Sequence, residues 1–387
     1  MGVRQHAALL SGLAIVWTLG ISVLQSNCSS DVRFFNDEHD RSIYAERGAW
    51  ALKRAAPYRD VPSEYPQIAT YLFGLPYLVA GGASGDYRVY SSIVSGIMLV
   101  FLCGTIALLY RMLPARKEAA YLLLLPGTLY FSYNRFDIVP SFVVLVSLFC
   151  LQRGNHVAAA VCLGVGALTK WYPALLLPTY VSYQWTTEGR INWKPIAAFV
   201  ATCFAILAPT AAAGGVAALM QPYAFHAVRG FEWVSLPMLI RLSGTKWLGV
   251  HFDSGMLAYL FLGCSLLAVA ASVFARIVTF EEVVHWAILV IGGVVLCSRT
   301  WSPQWVLWLL PPMILIARTA SDIRWIVAYG VLSYVSFPLL FDGIGSESLS
   351  LKVVAVLVFA VLVRTMAVSI RRRKGRETRP HAGLSIS

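Results

Sequence analysis

Carboxylates are concentrated in one stretch of this chain, between residues 27 and 66. The sequence contains 19 Asp and Glu residues. The members that fall in this stretch are Asp31, Asp37, Glu38, Asp40, Glu46, Asp60 and Glu64. A carboxylate can activate a hydroxyl group by taking its proton. Because polar segments joined to apolar helices often carry functional groups, we expect the chemistry of the chain here.

The densest part of this stretch is Asn-Asp-Glu-His-Asp at 36–40, and Tyr44 follows four residues after Asp40. A carboxylate of this group could act as a general base on an acceptor hydroxyl, with neighbouring arginines keeping it ionised. Asp37 and Asp40 are its two aspartates, Tyr44 is a candidate for the sugar or acceptor, and a solvated loop rich in charges is the alternative interpretation. Two or three oxygen ligands are a weak indication of a divalent cation, so we predict neither a metal nor a cofactor.

A proline-rich segment at 57–66 ends the stretch. Proline restricts the backbone, so this segment predicts an ordered turn in which Glu64 and Tyr65 point towards a sugar or an acceptor. A structural cap on the loop is the alternative interpretation.

Three ionisable residues, Arg135, Asp137 and Lys170, lie at the ends of short apolar runs. Ionisable groups at such positions are costly and usually functional, or their side chains extend to the membrane interface. Two cations here would suit a lipid phosphate, and Arg299 is a third candidate for that phosphate. Asp137 is a candidate for the sugar or acceptor. Extension of the side chain to the interface is the alternative for Lys170.

The segment 229–237 brings together Arg229, Glu232 and Trp233. Bidentate polar contacts and a flat aromatic surface are typical of sugar binding. An amphipathic helix at the membrane interface is the alternative interpretation. Gln304, beside Ser302 at the start of an apolar run, is a further candidate for a hydroxyl group.

Composition indicates a membrane protein that crosses the bilayer many times. The 387 residues are 58% hydrophobic and 13% charged, with a mean hydropathy of +0.67. Soluble domains contain about 25% charged residues. The net charge of +12 comes from Lys and Arg in short loops and in the tail. That distribution is typical of cytoplasmic loops and argues against nucleic-acid binding.

Apolar runs predict an all-α polytopic protein with about twelve spans. The predicted spans are 7–25, 87–112, 118–133, 137–152, 156–170, 171–186, 195–213, 253–276, 280–298, 303–318, 322–341 and 348–370. The run 67–82 is short and contains Pro76, so we interpret it as an interfacial helix rather than a crossing.

Charge distribution predicts both termini in the cytoplasm, because every loop on that side is then basic. A first outer loop at 27–86 would carry the interfacial helices, and a second large outer loop would occupy 214–252. The tail 371–387 would be basic, cytoplasmic and disordered. We expect one transmembrane domain over 1–387, with nearly all unusual polar residues on the outer face.

Four groups of residues, taken in order, resemble the GT-C superfamily and within it glycosyltransferase family 87. They are Asp40-x-x-x-Tyr44 with Pro57-Tyr58-Arg59-Asp60 and Glu64-Tyr65-Pro66; Arg135-Phe136-Asp137; Leu168-Thr169-Lys170-Trp171-Tyr172-Pro173 with Leu175-Leu176-Leu177-Pro178; and Ser302-Pro303-Gln304-Trp305-x-x-Trp308. The run Arg229-Gly230-Phe231-Glu232 is also similar to that family. The resemblance covers roughly residues 35–312.

The resemblance implies a GT-C-type helical bundle and an inverting transferase without a metal. Its donor would be a polyprenyl-phosphate sugar, and its acceptor a glycolipid or polysaccharide outside a bacterial plasma membrane. A catalytic Asp in the first outer loop would correspond to Asp40, and frequency within the family favours mannose. We expect a monomer in contact with membrane lipid. A lipid-linked sugar flippase or other transporter, and a non-catalytic subunit of an envelope complex, are the alternative hypotheses.

Overall fold

The computed structural model describes residues 37–81, 86–232 and 234–377, and these residues form helices without a β-strand. The α-helices are α1 His39–Lys53, α2 Gln67–Val79, α3 Tyr87–Met112, α4 Pro126–Asn134, α5 Ile138–Gln152, α6 His156–Ala167, α7 Leu177–Glu188, α8 Trp193–Ala227, α9 Leu236–Leu248, α10 Ser254–Phe274, α11 Phe280–Cys297, α12 Val306–Ile316, α13 Ala320–Tyr334, α14 Phe341–Ile344 and α15 Leu349–Glu377. Short 3₁₀ turns occupy Lys117–Leu124, Tyr172–Leu176 and Pro303–Trp305, and a π-helical turn occupies Val335–Leu340. The prediction of an all-α membrane protein is confirmed.

Six of the described helices are long and apolar enough to cross a membrane: α3, α8, α10, α11, α13 with its continuation to Ile344, and α15. A seventh crossing results if α4 and α5 are one span, although they are bent by 110° at the residues that join them. The prediction of about twelve spans therefore remains a prediction. The first predicted span, 7–25, lies outside the described residues.

The remaining predicted spans form helices too short to cross a bilayer alone. At 1.5 Å per residue, the 12 residues of α6 rise only about 18 Å. Prolines mark the starts of several of these segments, at Pro126, Pro173 and Pro303. Proline is well tolerated in the first turn of a helix and poorly inside one, so these residues divide the apolar runs. Helix ends inside the bundle then become available for polar side chains.

Helices α1 and α2 form a closely packed pair within the predicted first outer loop. Tyr44 of α1 stacks on Phe73 of α2, with ring centroids 4.3 Å apart. The indole of Trp50 donates a hydrogen bond to the carbonyl of Thr70 at 3.1 Å. The connecting turn is held by the Tyr58 hydroxyl, which donates to the carbonyl of Tyr65 at 2.6 Å. The prediction of an ordered turn here is confirmed.

Replacing Gly48 of α1 with Ala is expected to destabilise this pair. A methyl group there would lie 2.0 Å from the carbonyl oxygen of Phe73, which is backbone and cannot rotate away. The helices would have to separate, at a cost of about 1–3 kcal/mol in free energy of unfolding. Thermal unfolding in detergent would measure it. The matched control is Gly96→Ala in α3, where the added methyl meets nothing within 4 Å; an equal loss in both variants would contradict the prediction.

Two of the predicted regions contain helix. Within the predicted outer loop 214–252, α8 continues to Ala227 after a kink at Gly215, whose φ of 67° favours glycine, and α9 follows. Within the predicted tail from residue 371, α15 continues to Glu377. Apolar residues continue beyond Gly215 in α8. In α15, an uninterrupted run of residues compatible with helix continues beyond residue 371.

Candidate active site

The first polar centre is built around Arg135, in the break between α4 and α5. Its guanidinium pairs with the carboxylates of Asp37 and Asp40, the latter at 2.8 Å. Asp40 lies in the first turn of α1 and Asp37 just before it. Negative charge is favourable at a helix N-terminus, so α1 itself supports this arrangement. Two carboxylates and one cation thus share one site.

The two carboxylates differ in how their oxygens are used. Asp37 is saturated: one oxygen accepts from the backbone N–H of His39 at 2.9 Å, and the other accepts from Arg135. The contacts of Asp40 both involve Oδ2, namely the pair with Arg135 and the Tyr44 hydroxyl at 3.4 Å. Among the described residues, Oδ1 of Asp40 accepts no hydrogen bond. Asp40 therefore keeps one oxygen available for a proton.

Electrostatic interactions also act on these carboxylates: Arg135 keeps Asp37 ionised. Burial raises the pKa of the Asp37 carboxyl, but the charge and hydrogen bonds of Arg135 and the His39 backbone N–H outweigh burial. The pKa of Asp37 is consequently below its usual value. A carboxyl held so firmly in its ionised form is a poor proton acceptor.

The second polar centre is built around Asp137, which is fully buried. Its carboxylate accepts three hydrogen bonds of 2.8 Å, from Lys170, from the amide of Gln304 and from the indole of Trp308. These contacts hold the three donors in place. The sequence makes Asp137 a candidate for the sugar or acceptor, and that role stays a prediction.

Lys170 is the accessible cation of this centre. Its ammonium lies 4.7 Å from the ring centroid of Phe136 and 5.3 Å from that of Trp308. Tyr172 stacks on the Trp308 ring, with centroids 4.3 Å apart. The side chain is 22% exposed, and an ammonium has three donors, of which Asp137 takes one. Lys170 can therefore bind an anion without leaving its place.

Gln304 joins the two centres. Its side-chain oxygen accepts from Nε of Arg135 at 2.9 Å, and its nitrogen donates to Asp137 at 2.8 Å. The carboxylates of α1 and the ammonium of Lys170 thus belong to one continuous network. Arg135 is 4% exposed, and its guanidinium holds the carboxylates of Asp37 and Asp40. Its role as a phosphate ligand stays a prediction.

A third polar group is formed by Glu232, Arg229 and Arg299. Glu232 pairs with Arg229 and accepts from the backbone N–H of Trp301 at 3.0 Å. Arg299 donates to the carbonyl of Arg229 at 3.5 Å. Burial raises the pKa of the Glu232 carboxyl, which the charge of Arg229 offsets only in part, and the charge of Asp40 raises it further. Glu232 is thus within electrostatic range of the proposed base.

Replacing Glu232 with Gln is expected to reduce transfer roughly tenfold at neutral pH, the effect of one lost hydrogen bond to a charged group. Its raised pKa means that its carboxylate is lost at a higher pH than that of an ordinary glutamate. Activity that requires the ionised Glu232 carboxylate therefore falls as the pH decreases through the pKa of Glu232. The variant should move the acidic limb of the pH profile to lower pH. Glu46→Gln, at an exposed position of α1, is the control; an unchanged acidic limb in Glu232→Gln would contradict the prediction.

The other candidates lie around these centres. Tyr44 is fully buried against Phe73, and its hydroxyl donates to Asp40 at 3.4 Å; its role as a sugar or acceptor contact stays a prediction. Glu64 pairs with Arg47 at 2.6 Å. Tyr65 is half-buried, 5.5 Å from the ring of Phe136. Trp233 lies outside the described residues.

Two residues of the site are missing from the sequence-based candidates. Trp308 donates to Asp137, and Asn134 accepts from the backbone N–H of Asp37 at 2.9 Å. Trp308 lies in an apolar run typical of core, and only its spacing from Gln304 on one helical face could have indicated it. In the described ranges, no group of three or more His, Cys, Asp or Glu residues could hold a metal ion.

Comparison with known proteins gives one finding. The model of a family described as glycosyltransferase family 87 matches residues 65–303, more than half of the chain. The match includes Arg135, Asp137, Lys170 and Glu232 and ends just before Gln304. The carboxylates of α1 precede it. No curated protein matches the chain.

Proposed function

Since the chain belongs to glycosyltransferase family 87 and is thus a membrane glycosyltransferase, we propose that it takes its sugar from a polyprenyl-phosphate donor, with Asp40 as general base. We propose mannose as the sugar and a glycolipid or polysaccharide as the acceptor. The observation that carries the proposal is the network in which Asp40 with a free oxygen and Lys170 with free donors are joined through Gln304.

The reaction would begin at Asp40. Its free Oδ1 takes the proton of the acceptor hydroxyl as the hydroxyl oxygen attacks the anomeric carbon. The bond between that carbon and the phosphate oxygen breaks, the electron pair leaves with the phosphate, and the configuration at the anomeric carbon inverts. Arg135 keeps the carboxylate oriented through their ion pair at 2.8 Å. No further reactant is required.

Negative charge grows on the departing phosphate, and the protein must stabilise it where it develops. Lys170 is the cation suited to this, because Asp137 and two aromatic rings fix its ammonium. A fixed cation loses little entropy when the charge develops, which is the basis of electrostatic preorganisation. Arg299 would contribute from the third polar group.

The acceptor would lie beside Asp40, with Glu64, Tyr65, Arg229 and Glu232 as its contacts. These residues are partly exposed or exposed, in contrast to Asp137 and Tyr44. The pair of Glu64 with Arg47 uses one oxygen of Glu64 and leaves the other for a sugar hydroxyl, and the pair of Glu232 with Arg229 presents charged groups to the acceptor. We propose that this end of the bundle faces outward from a plasma membrane with both termini in the cytoplasm, on the basis of the basic loops.

An in vitro transfer assay tests the proposal. The purified full chain is incubated with a panel of polyprenyl-phosphate sugars and membrane-lipid extract, and products are identified by mass spectrometry. We expect a product one sugar heavier than an acceptor lipid or glycan, with the opposite anomeric configuration to the donor. Movement of donor between liposome leaflets without any acceptor, and no product, would instead support a flippase.

A further inference from the structure

A cleft lies between α13 and α15, at the end of the bundle away from the candidate active site. Its charged residues are Asp322, Arg364 and Arg372. Helix α13 begins at Ala320, and its last residue, Tyr334, contacts Tyr130 of α4, the helix that leads to Arg135. The 15 residues of α13 rise about 22 Å, so the cleft and the site are separate.

The guanidiniums in the cleft are held in place by protein partners. Arg372 donates to Asp322 at 2.7 Å and to the carbonyl of Ile316 at 3.0 Å. Arg364 donates to the Ser321 hydroxyl at 3.0 Å and lies over the ring of Trp325 at 5.0 Å. Both positions are therefore fixed before any ligand arrives, which lowers the entropy cost of binding.

Charge in the cleft is unbalanced. Asp322 is the carboxylate that lines it, and its Oδ2 already accepts from Arg372 and from the backbone N–H groups of Arg318 and Thr319, both at 2.9 Å. Arg364 lies 4.0 Å from the other oxygen of Asp322, and the charges of Arg371 and Arg372 both act on it. Two guanidiniums thus share one carboxylate. An anion would relieve their mutual repulsion.

The cleft combines this charge with an apolar wall. The cleft is partly open to the outside and is bordered by Met313, Ile316, Ile326 and Val368. A ligand that suits both parts has an anionic head and an apolar chain. A free phosphate would use only the guanidiniums.

We propose that this cleft binds the phosphodiester headgroup of an anionic membrane lipid. Arg364 and Arg372 would donate to the phosphate oxygens, in the forked geometry that arginine offers to phosphate. The first acyl carbons would lie against Met313, Ile326 and Val368. Basic residues at a membrane surface commonly attract anionic lipids; here the cleft makes the attraction local and specific.

The test measures lipid retention by the purified full chain with native mass spectrometry. The delipidated protein is titrated with an equimolar mixture of phosphatidylglycerol and phosphatidylcholine that carry the same acyl chains. We expect preferential retention of one phosphatidylglycerol. Arg364→Gln should reduce that preference by roughly five- to tenfold, the contribution of one arginine near an anionic headgroup. Arg364→Lys keeps the charge and should retain an intermediate preference, which guards against loss of folding in the first variant.

Arg276→Gln is the matched control, because Arg276 is an exposed cation at the same end of the bundle, outside the cleft. An equal loss of preference in Arg276→Gln and Arg364→Gln would overturn the proposal in favour of diffuse surface charge. Displacement of the lipid by excess inorganic phosphate would overturn the choice of a lipid ligand. Equal retention of both lipids would overturn the site altogether.

Discussion

Asp40→Asn is expected to reduce sugar transfer by about 10²- to 10⁴-fold, the usual contribution of a positioned general base. The amide has the size of the carboxylate and can turn its one oxygen towards Arg135, so folding and donor binding should persist. The substitution removes the carboxylate oxygen that takes the proton of the acceptor hydroxyl. The rate of product formation at saturating donor, measured by mass spectrometry, gives the effect on kcat.

Two other carboxylates, Asp60 and Asp37, serve as comparisons for this test. Asp60→Asn is the matched control, because Asp60 lies exposed in the same segment, where it pairs with Arg59 and accepts from the backbone N–H of Ala56 at 2.8 Å. It should leave transfer unchanged. Asp37→Asn should reduce transfer less than Asp40→Asn, since both oxygens of Asp37 hold protein groups. Full activity of Asp40→Asn would refute the assignment, and a greater loss in Asp37→Asn would transfer the role of base to Asp37.

Lys170→Met is the second large effect, with transfer reduced by about 10²- to 10³-fold through loss of the cation at the leaving phosphate. The same change leaves Asp137 buried beside Gln304 and Trp308 without its counter-ion. Breaking a buried ion pair in this way costs about 3–5 kcal/mol of folding free energy. The single variant therefore confounds catalysis with stability.

A double variant separates the two contributions. Lys170→Met with Asp137→Asn removes both charges, so part of the lost thermal stability should return while transfer stays low. The recovery is partial because the new amide nitrogen would face one of the remaining donors, Gln304 or Trp308. Thermal unfolding and initial rates are measured on the same preparations. Recovery of transfer in the double variant would show that Lys170 acts only as the counter-ion of Asp137 and that its proposed contact with phosphate is wrong.

The sequence predicts the helical class and the positions of the long helices well. Apolar runs of span length, such as 87–112 and 280–298, coincide with α3 and α11. It predicts the short segments less well, because a proline early in an apolar run can begin a new helix or end a span. The segment 118–133 is one predicted span, yet it forms a 3₁₀ turn followed by α4.

The sequence predicts part of the chemistry of the site. Charged residues at the ends of apolar runs, such as Arg135 and Lys170, are unusual enough to attract attention. The sequence does not indicate the partners of these residues, because each pair joins segments that are far apart in the chain. Nothing local shows that Asp137 is buried, or that the indole of Trp308 points to it rather than to lipid. Packing between α5 and α12 decides both.

Gln304 has a chemical consequence for the whole network. An amide has one accepting and one donating end, so it satisfies Arg135 and Asp137 in a single orientation only. A proton on the Asp137 oxygen that faces this amide would oppose the Gln304 N–H group, and the other oxygen already accepts from Lys170 and Trp308. Gln304 therefore requires Asp137 to remain an acceptor, as Arg135 requires of Asp37. Of the three carboxyls in the network, Asp40 has the oxygen that accepts no hydrogen bond from the described residues, which favours Oδ1 of Asp40 as the atom that takes the proton in the proposed reaction.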